Sequence, residues 1–322
     1  MQVVAVDIGG THARFAMAEV DNGCVTKLDD PVTLKTAEYA SFETAWEAFA
    51  ALQDNPLPPA AAIAIACPII GDVLQLTNNP WIIRPALIEE KLGVIAHVLI
   101  NDFEAVGHAV AQLDPSALSH ICGPDISLSN SSIITVIGPG TGLGVALVLR
   151  EGADYRVIAT EGGHVDFAPL DSIDDAVLNE LRRRYRRVSV ERVVSGPGMV
   201  AIHHVLCRIE GRDIPVRDDR ELWAAALDGT DSLAAAALDR FCLSLGAIAG
   251  DFALSHGPGS VVIAGGIGLR LANHLSHSRF AERFVAKGRF QTLMSNVAVK
   301  LVTHPQPGLF GAATAFARKF SQ

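Results

Sequence analysis

Apolar residues at 3–6, interrupted by Asp7 and resumed at Ile8, have the length and β-branched content of a buried strand. Gly9-Gly10-Thr11 turns that strand into a second apolar run at 14–20. Asp21-Asn22-Gly23 then predicts a tight hairpin into a strand at 24–28, because Asn-Gly tolerates the positive φ of a primed turn. From Ser41 the period becomes helical: Phe42, Ala45, Trp46, Phe49 and Leu52 share one face, with Ser41 and Thr44 at the cap. Buried strands are expected at 61–67 and 97–100 and a short one at 73–76, with helices at 85–92, begun by Pro85, and at 103–113.

After a polar stretch at 125–132 the opening pattern returns as an apolar strand at 133–137, the turn Gly138-Pro139-Gly140-Thr141-Gly142, and an apolar strand at 143–149. Set beside Val6-Asp7-Ile8-Gly9-Gly10-Thr11, the stretch Val136-Ile137-Gly138-Pro139-Gly140-Thr141 reads as an internal duplication of strand, Gly-Thr turn and returning strand. The remainder is mostly helical, at 174–185, 197–209, 220–227 and 232–254, followed by a strand at 261–264 that ends on Gly265-Gly266 and an apolar helix at 308–319. Strands alternating with helices predict an α/β architecture with mixed sheets, in which ligands sit beyond the carboxyl ends of strands.

With 322 residues, 49% hydrophobic and 19% charged, the chain can bury a sizeable core, and disorder driven by charge is excluded. Its 26 Lys+Arg against 35 Asp+Glu give a formal charge of −9, a field that attracts neither nucleic acid nor an anionic membrane. The start carries no basic segment, so no secretory signal is expected. No apolar stretch is expected to reach the roughly 20 residues of a spanning helix, since Asp239 and Arg240 interrupt the Ala-rich region at 234–237. Five scattered cysteines (Cys24, Cys67, Cys122, Cys207, Cys242) without C-x-x-C spacing predict reduced, cytosolic thiols. The basic run Arg182-Arg183-Arg184-Tyr185-Arg186-Arg187 closes a predicted helix and reads as a solvated, dipole-favoured terminus.

Three glycine turns follow apolar strands: Gly9-Gly10-Thr11, Gly138 to Gly142, and Gly265-Gly266. None is a Walker A loop or a G-x-G-x-x-G, yet successive N–H groups and a Thr hydroxyl suit phosphate oxygens. Asp7 ends a buried strand, where a carboxylate is costly unless something positive uses it; hydrated Mg²⁺ on a nucleotide is one partner and a cap on the turn the plainer one. Asn101-Asp102 stands at the carboxyl end of Val98-Leu99-Ile100, placed either to take a proton from a substrate hydroxyl or to cap the following helix. In Glu161-Gly162-Gly163-His164 the paired glycines disfavour a helix, and a carboxylate and an imidazole in a loop suit a polyol; Glu191 adds a further acceptor.

These residues resemble the bacterial glucokinases of the hexokinase/actin-like ATPase superfamily along nearly the whole chain. The resemblance rests on Asp7-Ile8-Gly9-Gly10-Thr11-His12-Ala13-Arg14, Thr77-Asn78-Asn79-Pro80-Trp81, Ile100-Asn101-Asp102-Phe103, Gly140-Thr141-Gly142-Leu143-Gly144-Val145, Ser195-Gly196-Pro197-Gly198 and above all Glu161-Gly162-Gly163-His164-Val165-Asp166-Phe167-Ala168-Pro169. It implies two ribonuclease H-like domains, α/β with mixed sheets flanked by helices and a cleft between them. The small domain would span 1–103 plus 306–322, the large one 104–305.

The resemblance also implies a cytoplasmic, homodimeric glycolytic enzyme that uses ATP and Mg²⁺ to phosphorylate glucose at its 6-hydroxyl. Asp102 would be the general base, and Asn78, Asn101, Glu161, His164 and Glu191 would bind the sugar. Gly9, Gly10, Thr11, Gly140, Thr141 and Gly142 would hold phosphates, Gly265 and Gly266 would lie against adenosine, and Asp7 would reach nucleotide-bound Mg²⁺ through water. His12 stands where the family often has Asn, and Pro139 stiffens the second loop. The cysteine-rich zinc motif of the related repressor/kinase proteins is absent from the sequence. A kinase for mannose, fructose or N-acetylglucosamine, and a sugar sensor without catalysis, are the alternatives.

Overall fold

The computed structural model describes residues 1–76, 79–152, 154–215 and 218–320. The chain divides into two compact units, the first comprising Met1–Asp114, Val157–Ala159 and the segment from His304 onward, the second Pro115–Arg156 and Thr160–Thr303. The first boundary therefore lies beyond the helix at 102–112, where the sequence pointed to 103.

Unit 1 is built on β1 (Gln2–Ile8), which pairs antiparallel with β2 (His12–Asp21). Asn22 and Gly23 take φ of 48° and 77° and turn β2 into β3 (Cys24–Leu28), as the Asn-Gly pair demands. An unforeseen strand, β4 (Val32–Lys35), also pairs with β2. On the other side β1 runs parallel to β5 (Ala60–Ile65); a two-stranded hairpin of β6 (Leu74–Gln75) and β7 (Ile82–Ile83) intervenes before β8 (Ala96–Asn101) completes the order β3-β2-β1-β5-β8.

The period-2 alternation of β1 sends Val4, Val6 and Ile8 to one face, where Phe15, Phe42, Trp46 and Phe49 cover them. Those three aromatic residues of the covering helix come from α1 (Phe42–Ala50), begun by a capping box between Ser41 and Thr44. Leu52 lies past the end of α1 and is exposed, because the helix stops two residues before the amphipathic pattern does.

The opposite face, with Val3, Ala5, Ala62 and Ala64, packs on the C-terminal helix Pro307–Phe320 through Leu309, Ala312, Ala313 and Phe316. The expected helix at 85–92 is a 3₁₀ turn, Pro85–Leu87, leading into the five residues of α2 (Ile88–Leu92). The C-terminal helix also crosses α3 (Asp102–Gln112) so closely that Gly311 abuts the carbonyl of Ala105, and this contact holds α3 in unit 1.

Unit 2 repeats the plan. After β9 (Leu118–Cys122), β10 (Ile133–Pro139) pairs antiparallel with β11 (Leu143–Glu151), which borders β12 (Asp154–Thr160); β10 then runs parallel to β13 (Ser260–Ile263) and β13 to β14 (Ala298–Val302), giving β12-β11-β10-β13-β14-β9. The antiparallel hairpin followed by parallel strands matches unit 1, as the duplicated sequence pattern predicts.

Helices α4 (Ser172–Arg182), α5 (Gly196–Ile209), α6 (Asp219–Leu227) and α7 (Ser232–His256) pack around one core. By length and composition α7 could cross a membrane, contrary to the expectation from Asp239 and Arg240, whose two charges are too few to break the window. Here 72% of that window is buried, and Arg240 pairs with Asp171 at 2.7 Å and Asp174 at 3.5 Å.

Gly311→Ala places a methyl on the Ala105 carbonyl, a backbone atom that cannot rotate away. Chemical denaturation should show a loss on the order of 3 kcal/mol. On the same helix pair, burial and the nearby Arg318 push His108 down to about 4. The unfolded imidazole therefore takes up its proton first, and stability falls as pH drops from about 6.5 toward 4, by about 2 kcal/mol at pH 5. The difference between wild type and His108→Gln across that range should reproduce this slope.

Candidate active site

In unit 1 the first glycine turn is tied down by its carbonyls. Asn79 Nδ2 donates to Gly9 O at 3.2 Å, Thr36 Oγ1 to Gly10 O at 3.2 Å and Thr36 N to Thr11 O at 3.0 Å, while Gly9 N donates to His12 O at 2.9 Å. With the carbonyls engaged, the N–H groups of Gly10 and Thr11 find no acceptor among the described residues and form a small anion-binding concavity. His12, the departure from the family pattern, contacts the Thr11 hydroxyl through Nδ1 at 2.9 Å.

Asp7 lies directly across the hairpin from Arg14, and their side chains meet at 3.3 Å. Burial raises the Asp7 carboxyl above its ordinary range, and Arg14 opposes that shift. Gly308, in the first turn of the C-terminal helix, leaves space beside the carboxylate: a Cβ there would stand 2.9 Å from Oδ2. Among the described residues no three His, Cys, Asp or Glu side chains converge on a metal position. A lone carboxylate at a strand end fits Mg²⁺ that arrives on a nucleotide and keeps several of its waters.

At the end of β8 both readings of Asn101-Asp102 find a place. Asn101 is the N-cap of α3: its Oδ1 accepts from Phe103 N at 2.9 Å and Glu104 N at 3.2 Å, and its Nδ2 donates to Cys67 O at 3.3 Å. One amide hydrogen remains for a ligand. Asp102 is the first residue of α3, half-buried, with Oδ1 2.9 Å from Phe103 N, so its charge lies at the positive end of the helix dipole. Asn78 lies outside the described residues. Asn79, quoted only as part of a motif, is a structural anchor that the sequence reading missed: it is buried, bridges Gly9 O and Trp81 N, and was marked only by an Asn-Pro pair.

In unit 2 the second turn is closed by Gly140 N to Gly142 O at 2.8 Å and held from outside by Gly196 N to Gly140 O at 2.9 Å. Thr141 N and Gly142 N are left without acceptors among the described residues, as in the first turn. Gly196 opens α5, capped by Ser195 Oγ on Gly198 N at 3.3 Å. Its contact to the turn was also missed, although Ser-Gly-Pro-Gly is a helix-start signal.

The main chain of Leu143, where the turn ends, is clasped from two sides. Its N–H donates to Glu191 Oε2 at 3.0 Å, and its carbonyl lies against Gly163, so close that a Cβ on Gly163 would overlap the oxygen. Glu191 sits in the 3₁₀ turn Val190–Arg192, and Gly162–His164 forms another, so Glu161-Gly162-Gly163-His164 is a turn and no longer helix. The two turns are joined by Val190 N to Val165 O at 2.9 Å and a bridge between Asp166 and Ser189.

Glu161 and His164 point their side chains outward, 61% and 55% exposed and 3.8 Å apart. Arg187, from the basic run, hydrogen-bonds the His164 carbonyl and pairs with Asp166 at 2.7 Å. Gly265, with φ of 78°, starts α8 (Gly265–Arg270) and approaches Pro139 O, where a Cβ would stand 2.8 Å away; the space beside Gly266 is open. The structure thus gathers Gly140, Thr141, Gly142, Glu161, His164 and Glu191 within unit 2, and Asp7, Gly9, Gly10 and Thr11 at one turn of unit 1.

The family model described as Glucokinase matches residues 4–319. A curated glucokinase of Zymomonas mobilis subsp. mobilis is 60% identical over 322 residues, covering 100% of this chain and 99% of its own. Among solved structures, glucokinase from an Antarctic psychrotroph superposes with a TM-score of 0.82 at 32% identity, covering 98% of both chains. A ROK family glucokinase from Streptomyces griseus, solved in complex with glucose and AMPPNP, shares the fold at a TM-score of 0.64 and 17% identity, over 98% of this chain and 99% of its own.

Gly163→Ala would drive a methyl into the Leu143 carbonyl and pry the 161–164 turn from the strand. The expected loss is on the order of 2–3 kcal/mol by denaturant titration, whereas Gly152→Ala, at a turn with open space but φ of 64°, should lose about 1 kcal/mol.

Proposed function

The chain belongs to the glucokinase family, and on that premise we propose that it transfers the γ-phosphoryl group of ATP to the 6-hydroxyl of D-glucose, giving glucose 6-phosphate and ADP. The observation that carries this reading lies in unit 2. The turn bearing Glu161 and His164 and the turn bearing Glu191 are both seated on the main chain of Leu143, where the second glycine turn ends. Groups suited to a polyol and N–H groups suited to phosphate thus share one piece of backbone.

In this reading Asp102 takes the proton of the 6-hydroxyl. Phosphoryl transfer passes through a loose transition state, in which the attacking oxygen becomes acidic late, so a carboxylate placed at the start of a helix can serve as the base. Asn101 offers its remaining amide hydrogen to a neighbouring hydroxyl, and Glu161, His164 and Glu191 pair with others; Asn78 joins them on the family resemblance. Gly10, Thr11, Thr141 and Gly142 present N–H groups and hydroxyls to the phosphates, preorganised by carbonyls already spent on protein donors, while Gly9 and Gly140, whose own N–H groups bond His12 O and Gly142 O, shape the two phosphate-holding turns. Gly265 and Gly266 lie against adenosine. Mg²⁺, carried by the nucleotide, would neutralise charge on the transferring phosphoryl, with Asp7 holding one of its waters.

The reading includes a cytoplasmic, homodimeric enzyme of glycolysis, as the family resemblance implies. That Cys24, Cys67, Cys122, Cys207 and Cys242 are not joined in disulfides supports a reducing compartment.

ADP release should be measured with ATP-Mg²⁺ and glucose, mannose, fructose or N-acetylglucosamine, against a control without sugar. Turnover is expected with glucose; turnover only with another hexose would keep the kinase and change its substrate, and binding without turnover would indicate a sensor. Asp102→Asn should lower kcat by about 100- to 10,000-fold with glucose affinity nearly unchanged, and a variant retaining most of its kcat would remove Asp102 from the base role.

A further inference from the structure

Glu191 does two things that no single-site description accounts for. Its Oε2 accepts the Leu143 N–H at 3.0 Å, and this is its one hydrogen bond among the described residues, which leaves Oε1 open. The same carboxylate lies over Gly142, where a Cβ would overlap Oε2 and stand 3.1 Å from Cδ. Gly142 thus lacks a side chain for a reason beyond anion approach: the space its Cβ would take is occupied by the carboxylate. Gly140, two residues earlier in the same turn, has nothing within 4 Å of its Cβ position.

We propose that Glu191 couples the sugar to the phosphate turn, giving Oε1 to a sugar hydroxyl and Oε2 to the peptide that ends the turn. The proposal rests on the sugar role given to Glu191 above and goes beyond it. Sugar that fixes Oε1 also fixes Oε2, and with it the Leu143 peptide and the orientation of the Thr141 and Gly142 N–H groups. Nucleotide that orders those N–H groups likewise holds the carboxylate in place for sugar. Because the link is a binding free energy, it must act in both directions.

The test uses calorimetry with glucose and AMPPNP separately, on folded protein whose integrity is checked by thermal melting. In the absence of nucleotide, Gly142→Ala should weaken glucose binding by about tenfold, because the new methyl displaces the carboxylate, although position 142 lies in the phosphate turn. Gly140→Ala should leave glucose affinity as it is, whatever it does to AMPPNP. In a Glu191→Ala background the effect of Gly142→Ala on glucose should disappear, since no carboxylate remains to be moved. In the absence of sugar, Glu191→Ala should weaken AMPPNP by about threefold or more, and this arm does not depend on Gly142→Ala folding.

Undiminished glucose binding in Gly142→Ala, an equal loss in Gly140→Ala, or a loss that persists in the Glu191→Ala background would each overturn the coupling alone. AMPPNP affinity indifferent to Glu191→Ala would do the same. Glucose affinity indifferent to Glu191→Ala would instead overturn the sugar role of Glu191, and the coupling with it, while the kinase reading would still be judged on turnover.

Discussion

The main chain of Leu143 is the point on which the second unit's site depends. A residue's main chain has one strong donor and one strong acceptor, and here the donor of Leu143 is taken by Glu191 while its acceptor side is closed by Gly163. Both contacts need a residue with no side chain: Gly142 makes room for the carboxylate and Gly163 for the carbonyl. Three segments far apart in sequence, at 138–143, 161–166 and 189–196, are thereby brought into one arrangement, tightened by Val190 N to Val165 O and Gly196 N to Gly140 O. Backbone groups carry most of this geometry, so Glu161 and His164 can remain exposed while the backbone beneath them is fixed.

Unit 1 solves the same problem with side chains. Thr36 and Asn79 bind the carbonyls of Gly9, Gly10 and Thr11 and so turn the following N–H groups away from the protein. The duplication supplies a comparison inside one molecule. In the alignment of the two hairpins, the position of Asp7 is filled in unit 2 by Ile137, fully buried in an equivalent strand. The fold therefore has no need of a carboxylate there. Asp7 stays at the cost of desolvation, with Arg14 offsetting only part of it, which accords with the nucleotide role proposed for it.

Much of this was legible in the sequence because its strongest signals are local. The hairpin at Asn22-Gly23, the capped helix at Ser41 and the two glycine turns each announce themselves within a few residues. The strands Val32–Lys35, Leu118–Cys122 and Ala298–Val302 did not, since each is short and takes its identity from a partner separated from it in the chain, and Asp154–Thr160 did not because it is largely exposed and buries only Tyr155. Ala298–Val302 carries Lys300 in its middle, which pairs with Asp125 at 2.6 Å and otherwise disguises a buried strand. Among the site residues, chemistry was visible and support was not. Glu161, His164, Glu191 and Asp102 stand out by type, but Gly163 looks like any turn glycine, and Asn79 was passed over for its neighbour Asn78.

Electrostatics completes the account of how a chain of net charge −9 can be built for a phosphorylated ligand. Cations on the segments that meet the two turns are already engaged: Arg14 with Asp7, and Arg187 with Asp166 and the His164 carbonyl. Two more residues of the basic run are spent the same way, Arg183 and Arg184 converging with Arg208 on Glu180, and Arg192 lies over the Tyr185 ring 4.2 Å from its centroid. What faces outward from the turns is N–H groups whose partial charges are fixed by the backbone and need no counter-carboxylate. Such donors hold an anion by geometry, with little reorganisation when charge shifts between oxygens during transfer. An arginine would bring a full charge on a mobile stem and would need a partner whenever the ligand is gone. In the proposed role the glycine turns would therefore do more than let the chain bend: they would let an acidic protein bind an acidic ligand without altering its own balance of charge.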